Sequence, residues 1–238
     1  ANTLSDASNN YTIAVYSSGS HKCEKTNITD PWISMEYVDN ARTLNEYIEE
    51  EHCDIVERVR IVDLICQGVD VLHSQNIIHG DLKPSNILIS KCKGNEKPIP
   101  KIIDFGISKC LSRDYSKTYG YGTPTYRSKD QANGESATKK CDLHAIGIML
   151  KELLEDRKEV GDLFLEWIWK KSIDPSTTLC SSANSIHVFL TGWQNMQAFG
   201  AKMNGFPTGD NESWGFGERT MNEEFIIRKY KGLWSPGV

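Results

Sequence analysis

The chain has 238 residues, a formal net charge of -5, 39% hydrophobic residues and 25% charged residues. This is the balance of an ordinary globular protein, large enough for one big domain or two small ones. It excludes a polyelectrolyte tail and a basic nucleic-acid footprint. No apolar run approaches the roughly 20 residues that a membrane span needs, and residues 1–10 resemble neither a secretory signal nor an Arg-rich transit peptide. Seven cysteines (Cys23, Cys53, Cys66, Cys92, Cys110, Cys141 and Cys180) occur at irregular spacing with no C-x-x-C pair. They are expected to be free thiols in a reducing compartment, and hence in an intracellular, cytoplasmic protein.

In chain order, residues 11–16 are rich in β-branched and aromatic side chains and read as a strand. A polar loop with Gly19 follows, then a second strand over 32–38, broken by Asp39-Asn40. A short helix is expected over 44–48. Over 54–73, apolar residues fall at Ile55, Val59, Val62, Ile65, Val69 and Leu72, in steps of three and four, which predicts a long amphipathic helix. The runs 86–90 and 101–104 predict a hairpin. Residues 107–140, rich in Ser, Thr, Tyr, Gly and Lys, read as a long functional loop. Residues 141–154 are apolar around most of a helical circumference and predict a buried helix. Further helices are expected over 162–173, stopped by Asp174-Pro175, and over 181–190. From Gly192 onward no period is legible.

Three motifs stand in order. His79-Gly80-Asp81-Leu82-Lys83-Pro84-Ser85-Asn86 comes first, then Asp104-Phe105-Gly106, then Gly122-Thr123-Pro124-Thr125-Tyr126 with Ser128-Lys129-Asp130. Phosphoryl transfer from ATP needs a carboxylate to orient the attacking hydroxyl, oxygen ligands for Mg²⁺ and a cation to offset charge on the transferred group. The set and its order resemble the catalytic loop, metal-binding triplet and activation segment of the eukaryotic-type protein kinase family over about residues 11–190. Lys83 and Thr123 resemble its serine/threonine branch.

The resemblance implies an α+β, protein-kinase-like fold. Residues 1–38 are expected to be a remnant of the smaller lobe with two of its strands and the hinge, 39–191 the mostly helical larger lobe, and 192–238 an extension of unknown role. It implies ATP and Mg²⁺ as cofactors and a protein substrate with Ser/Thr hydroxyls, with no nucleic-acid or membrane partner. Asp81 is expected to steer the substrate hydroxyl and Lys83 to contact the γ-phosphate. Asn86 and Asp104 are expected to ligate the metal. The hinge backbone over Glu36, Tyr37 and Val38 is expected to meet adenine, with Met35 as gatekeeper and with Leu88 and Met149 below the ring. His79 and Phe105 are expected to stack in a hydrophobic spine, with Gly106 and Thr123 in support. Asp142 is expected either to anchor the catalytic loop or to cap its helix. Trp167 and Trp169 are expected to be packing residues.

The family pattern is not complete. Gly80 stands where an Arg usually clamps a phosphorylated activation loop, here bearing Ser112, Tyr115, Ser116, Thr118, Tyr119 and Tyr121. Ser128-Lys129-Asp130 replaces A-P-E, and Thr178 stands where its partner Arg is expected, so Asp130 should be exposed or the lower lobe weakened. The stretch between Leu154 and Asp162 is too short for a further docking helix. No G-x-G-x-x-G precedes the hinge, and Lys22 and Lys25, expected in a loop, lie too late to anchor phosphates. Two readings stand: a serine/threonine kinase represented by a fragment, or a pseudokinase that binds without turnover. A small-molecule kinase of related fold is disfavoured by Lys83 and the Gly-Thr-Pro run.

Overall fold

The computed structural model describes residues 10–22, 29–51, 53–90, 97–104, 109–110, 122–135, 137–155, 163–174, 176, 178 and 180–203. Its architecture is α+β. Strands β1 (Val15–Lys22) and β2 (Thr29–Met35) form an antiparallel ribbon. Next come β3 (Arg42–Thr43), α1 (Leu44–Glu51), the long α2 (Ile55–Ser74) and β4 (Ile77–Ile78). Then follow β5 (Ile87–Ser90), β6 (Ile99–Ile102) and β7 (Lys109–Cys110). The chain continues with α3 (Lys129–Ala132), α4 (Lys139–Glu155), α5 (Leu163–Ile173) and α6 (Ala183–Met203). Strands β3, β5 and β6 make a three-stranded sheet in that order, and β4 pairs with β7.

Helix α2 begins where the sequence predicts. Asp54 is its N-cap and accepts a 2.8 Å bond from the Glu57 amide, satisfying one of the first-turn donors. Its apolar face, with Val59, Val62, Ile65 and Val69 fully buried, packs into one core with Ile146, Met149 and Leu150 of α4, Leu165 and Ile168 of α5, and Ile186 and Leu190 of α6. Each such side chain contributes about 1.5–3 kcal/mol by leaving water. Phe164, Trp167 and Phe189 add an aromatic cluster, with the Trp167 and Phe189 rings edge-to-face at 5.2 Å. Trp167 and Trp169 both pack against this core, the packing role expected of them. Cys53, Cys66, Cys141 and Cys180 are buried and outside any disulfide. No helix among the described residues is long and apolar enough to cross a membrane.

Several elements differ from the sequence-based expectation. The first strand runs over Val15–Lys22, not 11–16, so Gly19 and Lys22 belong to the strand and not to a loop. Residues before it run instead along β6: Thr12 bridges Ile102 in parallel, and the Tyr11 carbonyl and Ile13 amide bond the Ile102 backbone at 2.8 and 2.9 Å. That tertiary pairing outweighs local β propensity. The second strand ends at Met35, which leaves Glu36, Tyr37 and Val38 irregular. Within the expected loop 107–140, β7 and α3 form. Ser128 and Gln131 make a reciprocal capping box at the start of α3, a spacing that the sequence carries.

The last helix extends far beyond 181–190, to Met203, so the boundary expected at 191 falls inside α6. Trp193, on its inner face, is 2% exposed. The steps Ile186, Leu190, Trp193 continue the helical period through Gly192 and Asn195, which hid it in the sequence.

Candidate active site

The loop between β4 and β5 is held from below by a buried carboxylate. Asp142, in the first turn of α4 and 1% exposed, accepts bonds from the His79 amide (3.0 Å), the Gly80 amide (2.8 Å) and the His73 ring (2.8 Å). Of the two roles open to it, this geometry is that of the loop anchor. His79 Nε2 lies 2.9 Å from the Ile103 carbonyl while its Nδ1 accepts from the Asp81 amide at 3.3 Å, which selects the Nε2–H tautomer. Gly80 sits at φ +79°, a left-handed conformation that favours glycine, and its carbonyl accepts from Gln131 Nε2 at 2.8 Å. His73 and Gln131 had no signal in the motif. Each reaches the loop from an element distant in sequence.

Above this floor, Asp81 is the hub. Its carboxylate pairs with Lys83 at 2.9 Å, accepts the Thr123 amide at 2.7 Å and lies 3.2 Å from the Thr123 hydroxyl. Lys83 also donates to that hydroxyl at 2.8 Å, and Asn86 Nδ2 binds the Asp81 carbonyl at 2.9 Å. Burial pushes the Asp81 carboxyl up, but the hydrogen bond from Lys83 and those from Thr123 more than reverse it, so it ends below the usual carboxylate range. A shallow cleft lined by Gly80, Asp81, Gly122, Thr123, Tyr126 and Arg127 opens beside this carboxylate.

Asn86 closes a 3₁₀ turn (Pro84–Asn86), and its carbonyl accepts from the Ile103 amide at 2.9 Å. That bond sets Asn86 beside the strand end that carries Asp104. Asp104 is exposed and adopts φ +64°, a conformation tolerated by Asp more readily than by bulkier residues and often concentrated at functional sites. Nδ2 of Asn86 is committed to Asp81, so only its Oδ1 is left to act as a ligand. One carboxylate and one amide oxygen form a hard, sparse donor set. This fits Mg²⁺, which is held by one or two protein oxygens plus substrate phosphates. Among the described residues no cluster of three or more His, Cys, Asp or Glu side chains competes as a metal site.

The hinge residues are placed less uniformly. Met35 ends β2 opposite Val15 and is 42% exposed, not packed as a gatekeeper would be. Glu36 and Val38 are half-buried, and Leu88 is half-buried on β5. Met149 is fully buried within the helical core. Asp130 is partly exposed, in line with its lost arginine. Phe105, Gly106, the hydroxyl residues Ser112 to Tyr121, Lys25 and the stretch from 156 to 162 lie outside the described residues.

Comparison with known proteins gives independent findings. The model of the "protein kinase domain" family matches residues 11–165. The probable serine/threonine-protein kinase PknB of Lactococcus lactis is 40% identical over 127 residues, which are 52% of this chain and 19% of that protein. PknB of Mycolicibacterium smegmatis is 35% identical over 147 residues, 60% of this chain and 22% of that protein. Pkn1 of Myxococcus xanthus is 30% identical over 135 residues, 56% of this chain and 19% of that protein. The match thus spans about a fifth of each relative. A family match over 155 residues, covering the anchored loop, the Asp81 hub and the Asn86–Asp104 pair, means that the chain belongs to the protein kinase domain family.

Proposed function

We propose that this chain is the larger lobe and hinge of a serine/threonine protein kinase that transfers the γ-phosphate of Mg·ATP to Ser/Thr hydroxyls of a protein substrate. The carrying observation is the Asp81 carboxylate, held ionised and aimed by Lys83 and Thr123 beside the cleft. An ionised carboxylate there accepts a hydrogen bond from an incoming hydroxyl and fixes its line of approach. Lys83 places an ammonium beside the reacting oxygen and offsets charge that builds on the transferred group. Asn86 and Asp104 would hold Mg²⁺, which when bound neutralises phosphate charge. The hinge backbone at Glu36 and Val38 supplies the adenine contact.

One observation favours the second reading, a kinase-like binding protein without turnover. Lys22 pairs with Thr29 at the end of the ribbon away from the hinge contact of Val15 with Met35, so it cannot serve as the phosphate-anchoring cation. The two readings part in one experiment. Mg·ATP should raise the melting temperature of the chain more than Mg²⁺ or ATP with chelator, and D104N should abolish the gain. Phosphotransfer to a Ser/Thr peptide that disappears in D81N supports the kinase. A Mg·ATP shift without transfer supports the binding protein. No shift at all defeats both nucleotide-based readings.

A further inference from the structure

We propose that Lys101 is a positioning residue for the nucleotide: its ion pair with Glu36 locks the hinge to the strand that leads into Asp104. The inference rests on reading the site as one for Mg·ATP and adds to it a coupling between its two halves. Lys101 Nζ lies 2.9 Å from each carboxylate oxygen of Glu36, with only 17% and 26% of the two side chains exposed. The same carboxylate accepts the Ala14 amide at 3.2 Å, while the Glu36 amide donates to the Ala14 carbonyl at 2.8 Å. Burial opposes ionisation of Glu36, but Lys101 and the Ala14 amide prevail and hold its carboxyl below the usual range.

This pair stands where little else holds the hinge. Ser17 to Lys22 on β1 are exposed, and so are Trp32, Ile33 and Met35 on β2. A two-stranded ribbon is marginal by itself in water. Its root is joined to the larger lobe by residues 11–13 on the free edge of β6 and by Glu36 on Lys101. Helix α2 presses on this seam: a Cβ at Gly68 would stand 2.9 Å from Ile102 and 3.1 Å from Tyr11, so a larger residue there would push these neighbours aside. Asp104 is three residues after Lys101, two beyond the end of β6. The hinge and the metal-bearing carboxylate therefore share one short lever, and ATP, which bridges them, gains only if both ends hold their spacing.

The test uses the full chain with Mg·ATP and with adenosine, which engages the hinge alone, measured by calorimetric titration. K101M, and the milder E36Q, should weaken Mg·ATP about tenfold and adenosine no more than about twofold, as expected when a pair couples two subsites. The charge swap E36K/K101E should recover most of the lost affinity. Hydrogen exchange supplies a readout free of nucleotide: the Glu36 and Ala14 amides should exchange faster in K101M and slow again in the swap. Equal losses for adenosine and ATP, or none in K101M when the wild type binds, would overturn the inference and leave the nucleotide reading standing. A wild-type chain that binds no Mg·ATP overturns both, whatever the exchange rates show.

Discussion

On the function proposed above, Asp81 would carry more of the chemistry than any other side chain, and its surroundings define how it would act. Lys83 and Thr123 hold its carboxyl below the usual range, so it orients a hydroxyl well and is a weak base. D81N should lower turnover about 10²- to 10⁴-fold, the span typical of a positioned acid or base, with Mg·ATP affinity kept. Steady-state kinetics beside nucleotide titration checks this. The depressed value also fixes a sign. Asp81 stays ionised until pH falls below the ordinary Asp range, so the pH–rate profile should show no acid limb from it above about pH 5. These identities were legible in the sequence because spacing in one short loop brings Asp81, Lys83 and Asn86 together by local geometry. His73, Gln131 and Lys101 were not, because their partners lie 69, 51 and 65 residues away.

Among elements, α6 shows how a helix is fastened to the lobe. His187 Nδ1 lies 2.5 Å from Asp63 Oδ1 on α2, with the Thr191 hydroxyl at 3.5 Å from the same oxygen. The hydrogen bond to Asp63 raises the His187 pKa against the opposing effect of burial, and the charges of Asp63 and Asp70 add to the rise. A raised folded value contributes stability that is complete below the unfolded His range and is lost as pH climbs through the folded value. H187Q should therefore be less stable than wild type at pH 6. The gap should close by about pH 9, where His is neutral in both folded and unfolded chains. Urea titrations of both proteins at the two pH values decide it. Helix periods in α2 and α4 were readable because their apolar steps are regular. The strand β1 was misplaced because serines and a glycine hide a ribbon whose pairing is supplied by β2.

At the scale of the molecule, the helical core extends past the expected domain edge. W193A should cost about 3–5 kcal/mol, as truncation of a fully buried Trp does, which denaturation would reveal as a loss as large as for a core position in α4. A surface extension would lose almost nothing. Regulation follows from the other end of the site. Gly80 has no side chain with which to clamp a phosphate, and its backbone is already committed to Asp142 and Gln131. Phosphatase treatment should leave phosphotransfer by the protein unchanged within about twofold, since a charge-assisted contact to a phosphate cannot come from position 80, which has no side chain. A large fall in activity on dephosphorylation would refute it.

By itself the sequence determined the family, the general α+β class and the chemical identities at the centre of the site, because these rest on residue types at short, local spacing. Tertiary structure decided the rest. It assigned Asp142 to the loop and not to its helix end, placed residues 11–13 on β6, carried α6 through position 191, and joined Glu36 to Lys101. Each of these depends on partners far apart in the chain. Their pairing is selected by burial and by the need to satisfy polar groups in the folded interior, and no local pattern encodes that choice.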